Sequence, residues 1–252
     1  MLKIRIMPTL LFKGFGLVKG IKFDSWRRVG SAMQAIRVYN MREVDELVFV
    51  DISATLEGRS PDFATIDELA DECFMPMTVG GGIRTIEDVR NLLKVGADKV
   101  AINSAAVETP DLVGKIADRF GSQCVVVSID FRVNPDGTYE VVTHSGTRGT
   151  GLDPVAFART VAKAGAGEIL LTSVDLDGTM EGYDVELTRA VCESVSIPVI
   201  ASGGAGSYAH MAQVLERGRA SAVAAASIFH FTEQTPLEAK HYLREQGFNV
   251  RI

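Results

Sequence analysis

Two glycine-rich runs carry the first chemical signal. Gly80-Gly81-Gly82 precedes a helical stretch beginning near Thr85, and Gly203-Gly204-Ala205-Gly206 precedes one beginning near Ser207. Glycine lets the backbone turn its amides toward an anion, and a helix start adds a favourable dipole, so each run suits a phosphate. One strand later each is followed by small polar residues able to bind the same anion: Asn103-Ser104 in one case, Ser227 in the other. A single cluster of this kind reads as a tight turn. Two in equivalent places, both paired with hydroxyls, read as two phosphate sites, one around Gly82, Asn103 and Ser104 and one around Gly204 and Ser227.

A strand-end carboxylate is the second signal. Ile6-Met7-Pro8-Thr9-Leu10-Leu11-Phe12-Lys13 aligns with Val125-Val126-Val127-Ser128-Ile129-Asp130-Phe131-Arg132, which sets Leu11 opposite Asp130. From Met1 to Phe23 there is no Asp or Glu at all. One half of the chain holds an acid where the other holds a leucine. Asp130 has two readings at this stage: a general acid or base, or a strand-end acid satisfying loop amides.

The elements that position these residues repeat. Phe74 to Gly82 matches Ser196 to Gly204, and Val50-Asp51-Ile52 matches Val174-Asp175-Leu176, all at an offset of about 120 residues. Three blocks in the same order at nearly constant spacing imply two similar halves of four strand-helix units each. β-rich runs at Ile4–Leu10, Glu46–Asp51, Met77–Val79, Lys99–Asn103, Cys124–Asp130, Glu168–Thr172, Val199–Ser202 and Ala222–Ala226 alternate with helical periodicity such as Ile66, Leu69, Ala70 and Cys73. The alternation predicts an α/β fold, a (β/α)8 TIM barrel with a twofold half-barrel repeat. It forms a single domain over residues 1–252, with halves of about 1–120 and 121–252. Asp111, Asp153 and Ser207 are expected to cap helices, and Gly96, Gly165 and Gly218 to stop them. Asn134-Pro135-Asp136-Gly137 reads as a hairpin turn. Phe12 to Gly30 reads as a long loop made mobile by Gly14, Gly16 and Gly20, and this connection and the one from Phe131 to Gly151 are expected to form lids over the C-terminal ends of the strands.

Composition bounds the function. A chain of 252 residues, 46% hydrophobic and 23% charged, is the usual size of one such barrel. A net charge of -6 argues against nucleic acid as a partner. No apolar run reaches the length of a membrane span, and Met1-Leu2-Lys3-Ile4-Arg5 reads as a strand rather than a signal peptide, so a cytoplasmic protein is expected. Cys73, Cys124 and Cys192 are widely separated and odd in number. They point to buried apolar fillers rather than disulfides, and neither a metal nor another cofactor is implied.

The runs Val48-Phe49-Val50-Asp51-Ile52, Thr78-Val79-Gly80-Gly81-Gly82-Ile83, Gly96-Ala97-Asp98-Lys99-Val100-Ala101-Ile102-Asn103, Gly165 to Ser173 and Ile200 to Gly206 together resemble the cyclase subunit of imidazole glycerol phosphate synthase. The resemblance covers nearly the whole chain. It implies a substrate with a phosphate at each end and ammonia supplied by a separate glutaminase subunit. It also implies a pair of aspartates at the ends of strands one and five acting as general acid and base. The second is matched by Asp130; the first falls on Leu11. The family's Cys-Leu-Asp-Val-Lys-Asp-Gly pattern reads here Thr9-Leu10-Leu11-Phe12-Lys13-Gly14-Phe15. Lys19 matches a substrate-contacting lysine, and Asp177 and Gly178 join the expected substrate-binding set. Arg5, Glu46, Lys99 and Glu168 each lie four to six residues before the functional end of a strand, near the opposite mouth. They match the charged ring gating the family's ammonia channel, and Asp98 and Gln123 match positions that face the glutaminase. On residue type alone, the four charges also read as an ion-pair layer closing the barrel floor.

Three functions fit. The first is a cyclase-like subunit of a glutamine amidotransferase complex that passes ammonia through the barrel. Here the chain resembles a divergent branch associated with bacterial surface-polysaccharide genes, in which an ATP-dependent sugar amidotransferase makes an acetamidino group. A docked acceptor enzyme would meet Phe12, Phe15 and Trp26. The second is a genuine histidine-pathway cyclase, a lyase. The third is a non-catalytic scaffold that activates the glutaminase. The chain carries no glutaminase signature of its own, since none of His144, His210, His230 and His241 begins a His-x-Glu.

Overall fold

Eight short strands with apolar residues on both faces dictate a sheet covered on one side by helices and closed on itself on the other. The computed structural model describes residues 3–14 and 16–251. The chain opens with β1 (Arg5–Lys13), β2 (Gly16–Ile21), β3 (Asp24–Gly30) and α1 (Ala32–Met41). There follow β4 (Leu47–Asp51), α2 (Phe63–Ala70), β5 (Met77–Gly80), α3 (Ile86–Lys94), β6 (Lys99–Ile102), α4 (Ser104–Glu108) and α5 (Asp111–Phe120). The second half runs through β7 (Val125–Val133), β8 (Tyr139–Thr143), β9 (Arg148–Gly149), α6 (Pro154–Ala164), β10 (Glu168–Ser173) and α7 (Val185–Ser194). It finishes with β11 (Val199–Ser202), α8 (Tyr208–Glu216), β12 (Ala222–Ala225), α9 (Ser227–Phe231) and α10 (Pro236–Glu245).

Strands β1, β4, β5, β6, β7, β10, β11 and β12 pair in parallel in that order, and β12 closes on β1 from Arg5↔Ala222 to Pro8↔Ala225. The molecule is therefore a (β/α)8 barrel. Alternation along each strand sorts side chains into two cores. Leu10, Leu47, Phe49, Met77 and Val79 face outward into the layer beneath the helices. Met7, Val48, Val126, Leu170 and Ile200, with Ala101, Ala222 and Ala224, fill the barrel interior. Met77 and Val79 point out, so Thr78 between them points in, with its hydroxyl buried and without a partner.

Two strands run well past their sequence-derived ends, and β5 and β10 pass theirs by one residue. β1 continues to Lys13 and β7 to Val133 because each leaves the barrel as an antiparallel ribbon, with β2 pairing from Leu11↔Val18 and β8 from Asp130↔Val142. The Asn134–Gly137 hairpin is present: Gly137 N donates to Asn134 O at 2.9 Å. The region expected to be a mobile loop, from Phe12 to Gly30, is instead the β2–β3 ribbon. Gly20 serves close packing rather than mobility, since a Cβ there would lie 2.0 Å from Asp24 O. The ribbon is fastened to the barrel where Lys22 N donates to Asp177 O at 2.8 Å and where Gly20 packs on Gly178.

Asp153 and Ser207 cap α6 and α8 through the amides of Ala156 and His210, and Thr85 forms a reciprocal capping box with Asp88. Asp111 is corrected by one position: Pro110 holds the cap and Asp111 is the first helical residue, where its charge still meets the helix dipole. The three cysteines are half-buried rather than enclosed, and burial raises the thiol pKa of each. At the seam, Lys240 of α10 donates to Asp45 Oδ1 at 2.8 Å and Glu43 O at 2.7 Å, and Asp45 Oδ2 accepts from Ile6 N at 3.0 Å.

Candidate functional site

The C-terminal ends of the strands surround a cavity of about 300 Å³. Nine of the residues singled out from the sequence line it: Lys19, Gly82, Asn103, Ser104, Asp130, Asp177, Gly178, Gly204 and Ser227. They come from both halves of the chain, as parallel strands closing into a ring require.

The glycine runs have no room for side chains. Gly81 and Gly204 both have φ of 105°, and a Cβ would lie 2.2 Å from Asp51 O in the first case and 1.9 Å from Gly182 O in the second. These turns bring backbone to the cavity wall in both halves, but their hydroxyl partners differ. Ser104 Oγ accepts from His144 N at 3.0 Å and donates to Asn103 Oδ1 at 3.2 Å. The Asn103 amide is turned away, donating to Ser128 O at 3.1 Å and Val142 O at 3.3 Å. Ser227 Oγ is buried and has no partner. A lone buried hydroxyl is costly unless something fills its hydrogen-bonding capacity, which marks this wall as the more receptive to an incoming anion.

Asp130 projects into the cavity beside Ser128, whose hydroxyl donates to it at 3.1 Å. Removal from water pushes its pKa up to about 7, the charge of Asp177 adds to the rise, and hydrogen bonds from Ser128 and Thr172 oppose it. A carboxyl poised there can give or take a proton near neutrality. In the other half Leu11 also lines the cavity, paired with Val50 just as Asp130 is paired with Thr172. Two residues earlier on the same face, Thr9 has a buried, unpartnered hydroxyl.

Lys19 and Asp177, both expected to meet substrate, meet each other. Lys19 is 1% exposed and its ammonium forms an ion pair with Asp177, whose pKa burial raises while Lys19 opposes the rise. This pair locks the ribbon over the cavity. Phe23 and Trp26 reach the cavity from the ribbon and His144 and Ser145 from the turn after β8. None of Phe23, Thr9, Ser128, Thr172, His144 and Ser145 was singled out as a site residue. Spacing of two before Leu11 and Asp130 is the signal that finds Thr9 and Ser128.

At the opposite mouth Arg5, Glu46, Lys99 and Glu168 form a closed ring. Arg5 contacts Glu46 at 2.8 Å and Glu168 at 2.9 Å, and Lys99 contacts the same two at 2.9 and 3.3 Å. Burial works against the Arg5 charge, yet Glu168 and Glu46 hold its pKa above the ordinary value. Asp98 and Gln123 are exposed on this side, with Asp98 Oδ2 accepting from Met77 N at 2.8 Å and Gln123 Nε2 donating to Phe120 O at 3.2 Å.

Of the aromatics expected on an acceptor-docking surface, Phe12 is corrected: it is buried against Phe49, because the extended β1 carries it into the outer core. Trp26 faces the cavity, and Phe15 lies outside the described residues. Among the described residues no group of three or more His, Cys, Asp or Glu is placed to hold a metal, and no helix is long and apolar enough to cross a membrane. Residues 5–235 match the family described as Histidine biosynthesis protein, and the chain belongs to this family of cyclase-like barrels.

Proposed function

We propose that the chain is the cyclase-like subunit of a glutamine amidotransferase, taking ammonia from a separate glutaminase at the ringed mouth and passing it along the barrel axis. The observation that carries this reading is the pairing of a four-charge ring at one mouth with a cavity whose first strand ends in Leu11 at the other. The ring is poorly accounted for by stability. Replacing such a partly buried set by packed apolar residues is commonly neutral or stabilising by about 1–4 kcal/mol. Its two cations and two anions can instead part and re-form, and in the apolar interior above them the Thr78 hydroxyl offers a small polar molecule a hydrogen bond. Asp98 and Gln123 are available on the same side for a glutaminase. A positioned general acid or base is commonly worth about 10² to 10⁴ in rate, so a barrel with Leu11 is suited to delivery more than to the two-acid cyclisation. The acceptor is then a further enzyme, an ATP-dependent sugar amidotransferase of surface-polysaccharide (O-antigen) synthesis, working in the cytoplasm.

Affinity purification from the native cell tests this. A glutaminase recovered together with an ATP-dependent sugar-modifying enzyme is the expected result. A second reading, a true histidine-pathway cyclase, draws on Asp130 with its pKa near 7. It predicts turnover of the bisphosphorylated aminoimidazole precursor with ammonium salt and its loss in Asp130→Asn. Turnover of that substrate at an ordinary enzymatic rate would overturn the delivery reading.

A further inference from the structure

His144 and Ser145 begin the turn between β8 and β9 with φ of 53° and 54°. This left-handed conformation costs an L residue about 1–2 kcal/mol, and such strain persists only where the surroundings enforce it. Here His144 N donates to Ser104 Oγ at 3.0 Å, Ser145 Oγ to Ile52 O at 2.8 Å, and Thr147 Oγ1 to His144 O at 2.7 Å. The turn is held so that His144 sits against Ser104 in the first glycine cradle and lines the cavity.

The imidazole Nδ1 lies 3.2 Å from Thr143 Oγ1, and Nε2 lies 3.5 Å from Glu108 Oε1, a separation long for a hydrogen bond. The same Glu108 oxygen is 3.2 Å from Arg148 Nη1, and the Glu108 side chain is 49% exposed. Of the other cations nearby, Lys19 is committed to Asp177 and Arg59 to Asp51 at 2.7 Å and Glu57 at 2.6 Å, while Arg84, just after the first glycine run, also lines the cavity.

We propose that His144 is the exchangeable donor of the first cradle. Glu108 occupies its Nε2 until a phosphate oxygen takes that place, and Arg148 holds Glu108 after the exchange. This rests on reading the Gly81–Gly82 turn with Ser104 as a phosphate site. It adds a phosphate-binding residue and a built-in competitor that selects for an oxyanion over a neutral ligand. The exchange replaces one carboxylate by another oxyanion at the same nitrogen, and the displaced Glu108 keeps Arg148 as its partner.

Inorganic phosphate, titrated into the full chain and followed by nuclear magnetic resonance, tests it. The imidazole signal lost in His144→Asn, a substitution chosen because asparagine accepts the left-handed turn, should move with phosphate alongside the Gly81 and Gly82 amides. His144→Asn should weaken phosphate at this cradle about tenfold, the worth of one charge-assisted hydrogen bond. Glu108→Gln should tighten it about threefold by removing the competitor, and Arg148→Ala should weaken it. A Glu108 that merely props the turn predicts weakening in Glu108→Gln, and that result overturns the proposal. So does an unmoved His144 signal while the Gly81 and Gly82 amides shift. Amides that never respond to phosphate overturn the cradle reading itself and the exchange with it.

Discussion

The two halves of the barrel place different side chains at the same station. At the cavity β7 presents Asp130 beside Ser128, and β1 presents Leu11 beside Thr9; each strand then leaves the barrel as an antiparallel ribbon. The backbone is alike, so the difference isolates what the side chain contributes. On one side stands a carboxyl whose proton is held to near neutrality, and on the other an apolar wall with a single unsatisfied hydroxyl below it. Architecture and acid chemistry are thus separable in this fold: the ribbon, the glycine turn and the hydroxyl strand-end persist where the acid does not.

The comparison breaks most severely at the glycine turns. Gly204→Ala drives a Cβ to 1.9 Å from Gly182 O, against 2.6 Å from Arg59 O for Gly82→Ala, and both residues have left-handed φ. Urea unfolding should show a loss of about 4 kcal/mol for Gly204→Ala and a smaller one for Gly82→Ala. Equal, minor losses would mean that the turns yield easily. Next comes making the halves alike: Leu11→Asp should cost about 2–3 kcal/mol at pH 8, where the new carboxyl must ionise in the cavity that already holds Asp130 and Asp177, and less at pH 5.

Asp130→Asn gives a smaller effect with a definite sign. The folded chain keeps this proton to about pH 7, whereas an unfolded chain releases it near pH 4. Between those values the folded state binds more protons, so the contribution of Asp130 to stability falls as pH rises. The variant should lose that slope and be the more stable above pH 7 by about 1–2 kcal/mol, a figure reduced for the solvent at the cavity wall. Smallest is the serine pair. Ser104→Ala should cost about 1 kcal/mol because it abandons the amide of His144, while Ser227→Ala, which breaks no hydrogen bond, should leave thermal stability unchanged or slightly raised.

Much of this geometry was legible because it is periodic. The eight strands announce themselves as β-rich runs between helical stretches, and the offset of about 120 residues sets Leu11 against Asp130 without reference to any other protein. What resisted reading depends on contacts between distant segments. Gly20 looks like flexibility in isolation, and only the approach of Asp24 O explains it. Lys22 and Phe23 form a left-handed ribbon tip with φ of 54° and 60°, a turn for which asparagine and glycine are the usual signal, so the ribbon carried no mark. The attachment of Lys19 to Asp177 spans 158 positions, beyond any local pattern. His144 is similar: a histidine after a β-rich run says nothing until Ser104 and Glu108 are brought beside it.

The junction of Lys240 with Asp45 makes one part of the barrel's stability conditional on another far along the chain. Asp45 precedes β4 and also holds the amide of Ile6 in β1, yet the cation that compensates it lies 195 positions further along. A buried carboxylate stranded this way costs about 3–5 kcal/mol. The first strands therefore gain this part of their stability only when α10 docks across the closing seam.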